Sequence, residues 1–170
     1  MEITLKSISP GSVAEAISKI ETYRYLNEPE EAESICQDIL AVEPDNQMAQ
    51  RLLGLAITDQ FTGGVGDRAA EAERIFQALA DPYERSYYTG IVRERWAKAQ
   101  LKAGRPPHMV VPLFESALRF FAEAEQLRPR GNDDAILRWN RCVRLLESRL
   151  GHEWQQHEPE TFDVHDSPPV

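Results

Sequence analysis

Apolar residues recur along most of this chain at intervals of three and four, the period of a helix buried on one face. Val13, Ala16, Ile17, Ile20 and Tyr23 form the first stripe and predict a helix from about Val13 to Leu26, opened by Ser12 and Glu15 as a capping box. Ala32, Cys36, Ile39 and Leu40 carry a second helix, with Pro29 in its first turn and an end at Val42 or Glu43, before Pro44. Asp45 caps a third, through Met48, Leu52, Leu53, Leu55, Ala56 and Ile57. Gly63, Gly64 and Gly66 then break the pattern over 61–67. Asp67 caps a fourth helix holding Ala72, Ile75, Phe76 and Leu79. A longer fifth starts at Asp81 and Pro82 and reaches about Ala103, with Tyr88, Val92, Trp96 and Ala99 along one side, and the run from Gly104 to Pro107 ends it. Ala117, Phe121 and Ala124 mark a sixth helix. Asn132 caps a seventh, in which Ile136, Trp139, Val143, Leu146 and Leu150 keep helical spacing up to Gly151. Residues 1–11 read as an irregular lead, and 152–170, polar and with three prolines, as a flexible acidic tail. The expected fold is all-α.

The helices echo one another. Ala117, Phe121, Ala124 and Pro129 stand at the same offsets as Ala32, Cys36, Ile39 and Pro44, and Ala72, Phe76 and Leu79 keep the first three of them. A small residue at the head of an apolar stripe lets a neighbouring helix come close, and the proline stops the helix. This pattern resembles the second helix of a tetratricopeptide repeat, a helix-turn-helix unit of about 34 residues that stacks into a solenoid. Leu53 and Gly54 fall where a second repeat places its large–small pair, which Lys19 and Ile20 in the first do not keep. The three alanines are 40 and 45 residues apart, the excess falling in loop 61–67 and in the long fifth helix with its turn. The resemblance covers residues 12–151 and implies an α-solenoid of about three antiparallel helix pairs plus a C-terminal closing helix. A helical bundle or another α-solenoid is the rival arrangement; stacking favours repeats, because each pair is apolar on both flanks and needs neighbours to bury them.

At 170 residues the chain suffices for one domain, and no apolar run approaches the ~18 residues of a membrane span. The N-terminal stretch has an early acid and no long apolar centre, unlike a secretory signal. Cys36 and Cys142 sit on apolar helix faces, which suits buried thiols better than a disulfide. The expectation is a soluble cytoplasmic protein. Its net charge of −9 is unevenly spread: residues 1–67 carry −8, residues 68–151 carry +4, and residues 152–170, with five acids and no Lys or Arg, carry −5.

Chemistry-bearing motifs are few. His152 and His157 are five apart, beyond a helix-ending glycine, where a zinc pair on one helix face needs a spacing of four. The loop with Gly63, Gly64 and Gly66 lacks the Lys-Ser/Thr of a phosphate cradle and follows no strand. No catalytic set, metal site or cofactor is expected. The rear of the chain is basic, with Arg95, Lys98 and Lys102 on one helix side, Arg105 just beyond, and Arg138, Arg141 and Arg144 close together. A solvated, salt-bridged face is one account of this, and a patch for an acidic peptide or a carboxylate terminus another. Overall acidity argues against nucleic acid. A further option is that the tail folds over the patch.

In tetratricopeptide proteins the first helix of each pair lines a concave, partner-binding groove. The resemblance therefore offers Arg24, Tyr25, Arg51, Leu55, Tyr87, Ile91, Arg95, Asn140 and Arg144 as groove residues. Arginine and tyrosine suit such a surface by combining contact area with hydrogen bonding. The carboxylate clamp of the co-chaperone members is absent, since its positions hold Ile17, Glu21, Leu52, Glu84 and Tyr88. The implied function is a non-catalytic adaptor for a protein or peptide segment. A regulatory or maturation subunit of an enzyme complex is the alternative, ahead of an enzyme with an unrecognised site, and self-association by end-to-end stacking is a further option.

Overall fold

The computed structural model describes residues 3–64 and 66–151, the side chain of Asp67 excepted. After a 3-10 turn at Pro10–Ser12 come α1 (Val13–Tyr25), α2 (Pro29–Val42), α3 (Gln47–Asp59), α4 (Gly66–Gln77), α5 (Pro82–Lys102), α6 (Pro107–Leu127) and α7 (Asp134–Leu150). Among the described residues there is no strand, so the fold is all-α. No helix there is long and apolar enough to cross a membrane.

Local chemistry sets most of the boundaries. Pro29, Pro82 and Pro107 open α2, α5 and α6 at a position whose N–H has no helical partner in any case. Asp81 accepts the Tyr83 N–H at 2.9 Å, as a cap should. Three expected caps differ. The Ser12 hydroxyl donates to the Ser9 carbonyl at 2.7 Å instead of capping α1, and Glu15 pairs with Lys19, so the capping box does not form. Asn46, one residue past Asp45, caps α3 by accepting the Ala49 N–H at 2.9 Å. The residue at the cap of α7 is Asp133, while Asn132 accepts the Asp134 N–H from one step further back. The side chain of Asp67 and the acidic tail lie outside the described residues.

Each helix packs against the one before it and the one after it, and α3 also touches α1 and α5. The echoed positions form the contacts. Ala32, Ala72 and Ala117 are fully buried, as are Cys36, Phe76 and Phe121 four residues on. A Cβ on Gly54 of α3 would lie 2.5 Å from the Phe76 ring, and one on Gly90 of α5 would lie 2.6 Å from the Phe121 ring. Only glycine leaves room for those rings. At the front the sizes are exchanged: Ile20 stands where the glycines do and Cys36 where the phenylalanines do, both in one buried cluster. Large-against-small packing is thus seen twice, and the first unit fills the corresponding positions with Ile20 and Cys36 of one buried cluster. Leu53, Leu55 and Tyr88, each packed against two of the buried clusters, join front, middle and rear cores.

On α7 the buried face is Ala135, Cys142, Leu145 and Leu146. The expected stripe through Trp139 is therefore rotated, and Trp139 itself is 37% exposed. On the same helix Arg138 reaches Glu94 of α5, which is fully buried and also paired with Lys98.

Candidate binding site

The odd-numbered helices α1, α3, α5 and α7 carry every residue expected to line a groove, and the structure spends most of the cations among them on one another's helices. Asp59 of α3 accepts from Arg24 Nε of α1 at 2.6 Å and also from Arg95 of α5. Arg95 donates further to Thr58 Oγ1 at 2.6 Å, and burial holds its guanidinium below the ordinary value against the pull of Asp59. Arg51 of α3 pairs with Glu84 of α5. Glu94 accepts from Lys98 one turn along and from Arg138 Nη1 of α7 at 3.4 Å. Tyr87 stacks on Tyr83 at 5.5 Å and meets Tyr88 edge-on at 5.1 Å, and burial raises its hydroxyl against the opposing effect of Arg138.

The nine groove candidates therefore divide. Arg24, Arg51 and Arg95 are tied up in these pairs. Leu55 and Tyr87 are half-buried and pack against the core clusters. Ile91 is 1% exposed and belongs to the rear core, so it cannot line a groove: α5 presents it to α6 and α7, not to solvent. Asn140 is half-buried and Arg144 exposed on α7. Tyr25 is 90% exposed beside Arg24 and Asp59, in a shallow hollow of about 480 Å³.

A second opening lies further back. Lys98, Leu101 and Lys102 of α5 and Arg141, Leu145, Ser148 and Arg149 of α7 line a cleft of about 800 Å³ between the C-terminal halves of these helices. Four of the seven are cationic and none is a carboxylate. Lys98 is engaged by the buried Glu94 beneath it; among the described residues Lys102, Arg141 and Arg149 form no ion pair. Leu101 and Leu145 add apolar surface. The structure thus brings together three of the seven residues read as a basic patch, Lys98, Lys102 and Arg141, and leaves Arg95, Arg105, Arg138 and Arg144 out of the lining. It adds Ser148 and Arg149, which the sequence reading missed. Their signal was available: 141, 145, 148 and 149 share one helix face, as do 98, 101 and 102.

The arrangement suits binding of anions. Burial pushes both Cys36 and Cys142 up to about 12, so neither buried thiol is a ready nucleophile. Among the described residues no three of His, Cys, Asp and Glu come together to hold a metal ion. His152 and His157 lie outside the described residues. No protein-family model matches the chain. No curated protein matches it at a significant level.

Proposed function

We propose that this chain is a non-catalytic interaction module, a tetratricopeptide-like solenoid of helix pairs, that holds an acidic segment of another protein in the α5–α7 cleft. The observation that carries this is the lining of that cleft: four cations, no carboxylate and two leucines, between two helices. The solenoid reading is supported by packing of each helix on its sequence neighbours and by the two equivalent glycine–phenylalanine contacts, Gly54 with Phe76 and Gly90 with Phe121. Two buried free thiols accord with a reducing compartment, and we propose the cytoplasm.

An acidic segment would set carboxylates against Lys102, Arg141 and Arg149 and apolar side chains against Leu101 and Leu145. Exposed ion pairs contribute about 0.2–1 kcal/mol each, so three or four of them select for charge more than they hold. The experiment is a fluorescence-anisotropy titration of a labelled deca-glutamate peptide with the full chain at low salt. Binding is expected to weaken steadily with added salt and at least about tenfold in Lys102→Glu with Arg149→Glu, while Arg24→Glu changes it little. Binding indifferent to the double change would reject the cleft as the site.

A further inference from the structure

We infer that residues 152–170 of this same chain occupy the α5–α7 cleft and compete there with an acidic partner segment, an inference that rests on the cleft being the partner site. Three observations converge on that occupant. The first is charge: the nineteen residues hold Glu153, Glu158, Glu160, Asp163 and Asp166 and no Lys or Arg, opposite a lining whose charges are all positive. The second is position. Ser148 and Arg149 line the cleft, α7 ends at Leu150, and Gly151 with φ 65° and ψ −166° turns the chain off the helix axis. The segment therefore leaves the fold at the mouth of the cleft.

The third is reach. Arg141 stands ten residues before Gly151, roughly 15 Å along a helix that rises about 1.5 Å per residue. At about 3.3 Å per residue, some five extended residues cover that distance, so the stretch from Glu153 to Glu160 is long enough to reach back to Arg141. The tether also supplies what weak surface pairs lack. A short tether gives an effective concentration on the order of millimolar, and a segment with an intrinsic Kd near 0.1 mM would then weaken a competing ligand roughly tenfold. Lys98 adds least, because Glu94 already faces it.

The test uses the full chain and one in which the five acids are neutralised (Glu153→Gln, Glu158→Gln, Glu160→Gln, Asp163→Asn, Asp166→Asn), each titrated with labelled deca-glutamate. The neutralised chain is expected to bind the peptide at least about tenfold more tightly than the unaltered one, and the gap is expected to close as salt is raised. Adding Lys102→Glu and Arg149→Glu to the neutralised chain is expected to remove binding. Equal affinity of the two chains overturns the tail as occupant and leaves the cleft as the partner site. Failure of the neutralised chain to bind, or binding that survives the double reversal, overturns the partner site as well. A gap that grows with protein concentration assigns the occupant to a second copy and overturns the intramolecular reading.

Discussion

Replacing Gly90 with alanine tests the packing scheme with a change of sign. In an exposed helix the substitution is favourable, by about 0.5–1 kcal/mol, because glycine loses more backbone freedom on folding. Here the new methyl would lie 2.6 and 2.8 Å from two ring atoms of Phe121, closer than carbon atoms pack. The ring cannot swing aside cheaply, since Phe121 is 1% exposed and lies 6.1 Å from Tyr87 within the rear core. Overpacking of this kind costs about 1–3 kcal/mol. The two terms nearly cancel at the mild end and leave a net loss of about 2 kcal/mol at the other, so Gly90→Ala should be destabilising by roughly 1 kcal/mol. For a chain of this size that lowers Tm by about 2–4 °C. Phe121→Leu supplies the control, because it removes the obstructing ring edge; in that background Gly90→Ala should stabilise by the full helix-propensity gain. Urea denaturation followed by circular dichroism gives all four corners of the cycle, with an expected coupling above about 1 kcal/mol. Stabilisation by Gly90→Ala in the unaltered chain would refute the reasoning.

Two further outcomes follow from burial. Trp139→Ala should cost well under the roughly 3–5 kcal/mol of a buried aromatic, because the ring is 37% exposed, whereas Phe114→Ala should reach that range; urea melts of equal quality compare them. The thiols give a pH dependence. Because the folded pKa of Cys36 and Cys142 is raised to about 12, the stability held by the protonated thiols is complete below the unfolded value near 8.5 and is lost as pH rises from there towards 12. Thiol labelling at pH 8 should accordingly be slow in the native chain and fast in urea, and fast native labelling would count against the buried positions.

Much of the fold was legible because it rests on local periodicity. Among the described residues the helices fall near where their stripes place them, and Ala32, Ala72 and Ala117 are buried as those stripes require. What escaped was pairing across distance. The sequence shows Gly90 inside α5 but not the ring of Phe121, 31 residues away, that requires it. It shows Glu94 as one more acid on a charged helix, and not that the folded chain buries it completely against Lys98 and Arg138.

The same limit explains why the sequence did not show which arginines are already paired. Arg24 meets Asp59 at a separation of 35 residues, Arg51 meets Glu84 at 33, and Arg138 meets Glu94 at 44, so each pair joins one odd-numbered helix to the next. Arg24 on α1 and Arg51 on α3 each find an acid on the following odd helix and are spent in holding the two together. Among the described residues α7 has no such successor. Arg138 reaches back to α5, while Arg141 and Arg149 stay without an ion-pair partner there, and Lys102 faces them across the cleft. The cations without an ion-pair partner among the described residues thus face one another across the α5–α7 cleft, and an acidic segment, from residues 152–170 or from a partner, is what the proposal sets against them.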